Sequence, residues 1–205
     1  MTVRFPRTSE VNGSLVGYPV AGRITSRFGA TDIAAHSKGH SGVDIACATG
    51  SPVAAPAAGV VANIFRVGDG SSMAATFGNC VILDHHGAYT IYAHLSSVLV
   101  KTEQLAALGT LLGRSGNTGL STGPHLHWGM GDADNRYLQR GKGLLDPLDY
   151  CGEDDGADEF DEQDIERMKA YLRVPERFRK SGSLQVEVLP DEPGWDRVLK
   201  IRMKE

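Results

Sequence analysis

Gly119-Leu120-Ser121-Thr122-Gly123-Pro124-His125-Leu126-His127-Trp128-Gly129-Met130 reads as a loop that runs directly into a β-strand. Glycine and proline mark the turn, and a glycine-bearing loop can approach a ligand closely because glycine has no side chain to obstruct it. Side chains two apart in a strand point to the same face, so the imidazoles of His125 and His127 enter one pocket.

The chain upstream repeats the strand pattern. Pro52-Val53-Ala54-Ala55, the run Gly59 to Phe65, Asn79 to Asp84 and Ala88 to Leu95 are short apolar or β-branched runs bounded by turn residues. Glycine supplies 25 of 205 residues, above the usual share of about 7%, which suits tight turns between short strands. The spacing predicts a mainly β fold, an antiparallel sheet core with one helical stretch around Glu103–Leu108. Residues 1–18 read as an extended leader and 19–150 as the main domain. After Tyr150 the composition turns acidic from Glu153 to Asp164. Asp161 to Leu172 then suits a short amphipathic helix capped by Asp161. Ser183–Leu189 and Trp195–Met203 suit a hairpin about Pro190-Asp-Glu-Pro-Gly194. Residues 151–205 thus form a small helix-plus-hairpin appendage.

Hydrophobic residues make up 41% of the chain and charged residues 22%, enough apolar material for a sizeable core. A net charge of −4 leaves no basic patch on the scale of a nucleic-acid footprint. No apolar run approaches the roughly 18 residues of a membrane span. The first 20 residues carry two arginines but no apolar stretch of the kind that makes a signal peptide. Either a signal has been removed, or the expected route to the outside is association with a virion or release by lysis. Cys47, Cys80 and Cys151 lack CxxC spacing. They read as buried small hydrophobes, with a Cys47–Cys80 bridge as the alternative.

Two further segments carry chemistry, His40-Ser-Gly-Val-Asp44 and Tyr92-Ala-His94-Leu95. With His125 and His127 they supply four imidazoles and one carboxylate, donors that suit a catalytic zinc. A zinc with three protein ligands and an open position turns water into a nucleophile at neutral pH. His40 and Asp44, four apart, share a face if the segment is extended, and His94 closes an alternating strand with Tyr92 on its face. The imidazoles not needed as ligands are left for proton chemistry. His36, His85 and His86 read as ordinary histidines, with His85-His86-Gly87 a hairpin turn bearing exposed rings.

The order and content of these segments resemble the lysostaphin-type zinc endopeptidases, which cut peptide cross-links in bacterial cell walls. The likeness runs from Gly22-Arg-Ile-Thr-Ser-Arg-Phe-Gly29 through His40-Ser-Gly-Val-Asp44, Gly50-Ser-Pro-Val-Ala54 and Tyr92-Ala-His94-Leu95. It continues through Gly116-Asn-Thr-Gly119 and Ser121-Thr-Gly-Pro-His125-Leu-His127-Trp128 to Asp146-Pro147-Leu148. It implies that His40, Asp44 and His127 hold Zn2+ with water in the fourth position. His94 and His125 would flank the metal, one deprotonating the water and both stabilising the oxyanion. The likeness leaves open which of the two is the base. The chain departs from the family between Val98 and Gly109, where the first glycine of a glycine-rich turn is missing.

The implied substrate is a peptidoglycan peptide, met in the periplasm or the extracellular wall. Residues 151–205 lie outside the likeness, and for that reason alone read as a wall-binding element or as one that docks on phage tail or baseplate proteins. The alternative is a catalytically inactive scaffold or activator that keeps the fold. Members of that kind are expected to have lost metal ligands, and this chain retains all five candidate residues.

Overall fold

Short runs carrying β-branched and aromatic residues, such as Gly59–Phe65 and Ala88–Leu95, form strands here, and glycine and other turn residues separate them. The computed structural model describes residues 8–11, 14–17, 19–31, 37–85, 87–135, 142–151, 184–189 and 198–203. In chain order the first elements are β1 (Thr8–Val11), β2 (Ser14–Gly17), β3 (Gly22–Ser26), β4 (Gly42–Ala46), β5 (Pro52–Ala54) and β6 (Gly59–Phe65). Then come α1 (Ser72–Phe77), β7 (Asn79–Asp84), β8 (Ala88–Leu95), β9 (Ser97–Val98), β10 (Leu105–Ala106) and β11 (Leu111–Arg114). The last are β12 (His125–Asp132), β13 (Leu144–Leu145), β14 (Leu184–Leu189) and β15 (Val198–Met203).

The chain divides into two compact units, residues 1–155 and 156–205. In the first, the main sheet runs β1-β2-β3-β4-β12-β8-β7-β6-β10, with β13 on β12. A smaller sheet runs β5-β11-β9. Among the described strands of this unit every pairing is antiparallel. Within the segment expected as a leader, β1 and β2 pair with each other, and β2 pairs with β3, so they extend the sheet. In the second unit β14 and β15 form a two-stranded ribbon, Leu184 opposite Met203 and Leu189 opposite Val198. The Asp161–Leu172 helix lies outside the described residues, as do His36 and His86.

β12 sits in the middle of the main sheet, between β4 and β8. Cross-strand neighbours share a face, and Trp128 lies opposite both Val43 and Tyr92. That face carries Leu126, Trp128 and Met130 into a core with Ile45, Tyr92, Leu95, Val53 and Leu112. Burying side chains of this size contributes about 1.5–3 kcal/mol each. The opposite face carries His127 beside Asp44 and Ala93. The same alternation therefore anchors β12 from one side and offers imidazoles on the other.

The helix expected at Glu103–Leu108 does not form. Glu103 takes a left-handed conformation with φ 67. Its N–H donates 2.8 Å to the Val61 carbonyl, and Leu105 pairs with Val60 on β6. The sheet edge takes the hydrogen bonds that a helix would have used. A helix forms instead at α1, where the Ser71 hydroxyl accepts the Ala74 N–H at 3.0 Å and Gly78 ends it at φ 66. Among the described residues no helix is long and apolar enough to cross a membrane.

One alternative is excluded and one further expectation fails; of the three cysteines expected to be buried, Cys80 is buried and Cys47 and Cys151 are half-buried. Cys47, Cys80 and Cys151 are all free, so the Cys47–Cys80 bridge is not formed. Cys80 is buried in a small cluster with Met73, Ile82, Ile91 and Ala93, and burial pushes its thiol up to about 12. His85 is buried rather than exposed. Its Nδ1–H donates 2.8 Å to the Ala58 carbonyl, and its Nε2 bonds the Thr90 hydroxyl at 2.8 Å. The ring turns inward because glycine at position 59 leaves room for it: a Cβ there would meet His85 Nδ1 at 2.9 Å.

Candidate metal centre

Register, not sequence proximity, builds this site. β4 and β12 pair so that Asp44 stands opposite His127, placing a carboxylate and an imidazole side by side. His40 precedes β4 in a loop stapled to the turn after β3. The His40 N–H donates to the Ala30 carbonyl, and Gly29 donates to the His40 carbonyl, both at 2.9 Å. These backbone bonds bring its ring over the sheet.

His40 Nε2 lies 2.9 Å from His127 Nδ1 and 3.1 Å from Asp44 Oδ1. His127 Nδ1 lies 3.0 Å from the same oxygen. All three residues are nearly inaccessible to solvent. His125 Nε2 stands 3.5 Å from Asp44 Oδ1. The His94 ring centroid is 4.6 Å from that of His125 and 6.0 Å from that of His127. The structure thus gathers all five sequence-predicted residues, with His40, Asp44 and His127 forming the tight group.

Hydrogen bonds to carbonyls set which nitrogens face inward, since a carbonyl only accepts. His40 Nδ1 lies 3.1 Å from the Arg27 carbonyl, His94 Nδ1 2.7 Å from that of Thr118, and His125 Nδ1 2.8 Å from that of Gly123. Each Nδ1 therefore donates, which leaves Nε2 as the nitrogen that faces the site in all three rings. Burial pushes His94 down to about 3, with repulsion from His127 adding to the effect. Burial likewise lowers His127. Burial alone would raise the Asp44 carboxyl, but its bonds to His127 and His40 outweigh that and hold it well below the usual carboxylate range. At neutral pH the group is one carboxylate beside neutral rings at positions 94 and 127.

This donor set fits a divalent cation. Three mutually adjacent acceptor atoms about 3 Å apart cannot all be satisfied by protons. With one proton on either facing nitrogen, the other nitrogen's lone pair still confronts the carboxylate; with two, the N–H groups confront each other. A cation coordinated by all three relieves every contact. Two imidazoles and a carboxylate are borderline donors of the kind that zinc takes, at about 2.0–2.2 Å each. The Nδ1–H bond of His40 to a carbonyl is the outer support that ligating imidazoles ordinarily carry.

His94 departs from the sequence reading in one respect: it does not share a face with Tyr92. Tyr92 is in the core while His94 joins the histidines on the opposite face. Its backbone is left-handed, φ 59, and the β7–β8 register slips between Asn79↔Leu95 and Val81↔Tyr92. This is a β-bulge, a device that re-aims a side chain.

The sequence reading missed several supporting groups. Phe77, at the end of α1, lies with its ring 5.4 Å from that of His127. Thr118 holds the His94 ring through its carbonyl. Ser26 Oγ sits 3.2 Å from His40 Nδ1. For Phe77 a signal existed in the Ser71 and Gly78 caps, which bracket a helix. For backbone carbonyls no residue-type signal exists.

The fold and the donor group define a β-sheet peptidase domain of the lysostaphin type. Over 63% of this chain and 91% of the other, it is similar to the catalytic domain of the antimicrobial peptidase lysostaphin from Staphylococcus simulans, at 25% identity and a TM-score of 0.53. Residues 38–139 match the pattern of Peptidase family M23. The chain therefore carries a peptidase family M23 domain.

Among curated proteins it is 40% identical over 112 residues to an uncharacterized metalloprotease of Haemophilus influenzae, covering 54% of this chain and 20% of that one. It is 41% identical over 90 residues to the peptidoglycan DD-endopeptidase ShyA of Vibrio cholerae, covering 43% and 19%. The matched region thus spans about a fifth of the length of these relatives.

Proposed function

We propose that residues 19–150 act as a zinc-dependent endopeptidase that hydrolyses peptide cross-links of bacterial peptidoglycan. The observation that carries this reading is the triangle of His40 Nε2, Asp44 Oδ1 and His127 Nδ1, with the Nε2 atoms of His94 and His125 beside it. The relatives named for peptidoglycan endopeptidase activity support the substrate class.

In this reading His40, Asp44 and His127 hold the zinc. When bound, zinc polarises a scissile carbonyl and lowers the pKa of its water toward about 7. One of the pair His94 and His125 accepts the water's proton at Nε2 and later delivers it to the leaving amine. The other donates to the developing oxyanion once it carries protons on both nitrogens as an imidazolium. The carbonyl-bound Nδ1–H of the accepting ring keeps its Nε2 lone pair free to take the proton. A non-catalytic scaffold would have no use for two such rings beside a complete donor set.

Residues 151–205 are the docking element in this proposal, toward the wall or a phage tail or baseplate. A two-stranded ribbon such as β14–β15 is only marginally stable without a surface to pack on. Deleting these residues and finding wall binding and assembly unchanged would remove that part.

Mass spectrometry of fragments released from purified peptidoglycan, run beside His127→Ala, tests the main reading. Wild type should release cross-link peptides and His127→Ala none. Equal release by both would rule out the metal assignment.

A further inference from the structure

Strict alternation along β8 would send His94 to the core side, behind Tyr92. The bulge prevents this: Ala93 and His94 together stand across from Cys80, and His94 adopts φ 59. A left-handed residue other than glycine costs about 1–2 kcal/mol. Such a conformation persists only where its surroundings over-determine it.

Those surroundings converge on one residue. The Thr118 hydroxyl donates 2.8 Å to the carbonyl of Leu95, the residue after His94. The same hydroxyl accepts the Asn79 N–H at 3.0 Å, and the Asn79 amide donates 3.0 Å to that same Leu95 carbonyl. The Thr118 carbonyl accepts the His94 Nδ1–H at 2.7 Å. The segment holding Thr118 is itself pinned to α1, since Leu120 N–H donates 2.9 Å to the Thr76 carbonyl. Gly78 and Gly119 make this contact possible, because a Cβ on either would overlap the other segment.

We propose that Thr118 is a positioning residue for His94. Its hydroxyl locks the bulge that turns the ring to the metal side, and its carbonyl selects the tautomer with the lone pair on Nε2. This rests on the peptidase reading above for its consequence in turnover, but not for its geometry.

The test uses the full zinc-loaded chain with 15N-labelled histidine, comparing wild type, Thr118→Val and Thr118→Ser. Valine matches threonine in shape and lacks the hydroxyl. NMR couplings between ring nitrogens and carbons' protons report the His94 tautomer, metal analysis reports zinc, and fragment release reports turnover. Wild type should show the Nδ1–H tautomer. Thr118→Val should show a mixture, with kcat down about tenfold to a hundredfold and KM and zinc content unchanged. Thr118→Ser should restore both tautomer and turnover. An unchanged His94 tautomer in Thr118→Val overturns the proposal, whatever the turnover. If wild type releases no fragments while Thr118→Val still shifts the tautomer, the positioning role stands and the peptidase reading falls. Should Thr118→Val fail to fold, Thr118→Ala removes the same hydroxyl with less bulk: a mixed His94 tautomer supports the proposal and an unchanged one overturns it.

Discussion

Asp44 stands directly across the sheet from His127, and its Oδ1 lies 3.0 Å from His127 Nδ1, although the two are 83 residues apart in sequence. The pairing of β4 with β12 therefore makes the site, and each strand is useless to it alone. Shifting the register by one residue would send one partner to the core side.

Asp44→Asn keeps the shape of that contact and removes its charge. Zinc affinity should fall at least about a hundredfold, since losing even an outer-shell partner typically costs 10- to 100-fold. Equilibrium dialysis against zinc measures it. Retention of wild-type affinity would exclude Asp44 as a ligand.

Zinc should stabilise the folded chain by mass action, because the three donors converge only in the native sheet. At free zinc about a hundredfold above its dissociation constant the gain is about 2.7 kcal/mol. Thermal unfolding with chelator and with added zinc should show a higher midpoint with zinc, and the shift should vanish in His127→Ala.

His85, which is not among the candidate metal ligands, predicts a pH dependence of stability. Burial lowers its pKa below the ordinary value near 6.5. Below that value the unfolded chain takes up a proton that the folded ring refuses. Stability is therefore full above about pH 6.5 and declines as pH falls, by up to about 1.4 kcal/mol per pH unit from this one group. His94 and His127 shift in the same direction, so the informative comparison is with His85→Gln. Denaturant unfolding from pH 7 to pH 5 should show a shallower loss in that variant, and equal slopes would refute the assignment.

Gly78→Ala should destabilise the chain by about 1–3 kcal/mol. The residue sits at φ 66, and an added Cβ would overlap Thr118. Chemical denaturation checks this, and a change below a few tenths of a kcal/mol would mean that the α1–Thr118 contact is loose.

Much of the architecture was legible locally. Alternation at His125-Leu126-His127-Trp128 correctly predicted a strand with one imidazole face, and the glycine-bounded runs predicted the antiparallel sheet. The helix at Glu103–Leu108 misled because composition cannot register that a sheet edge will claim the Glu103 N–H. The short helix α1 was missed because its six residues carry too little periodicity, although its caps were in view.

Residue order alone set the donor types, the two-residue spacing of His125 and His127, and the alternation that buries Trp128, all of which depend on neighbours along the chain. Tertiary structure alone decided that Asp44 meets His127, that His94 leaves the face of Tyr92, and that His85 turns inward. Each of those outcomes depends on strand register, a bulge or a cavity under a distant glycine. Such features arise from contacts between segments far apart in the chain, and no local pattern encodes them.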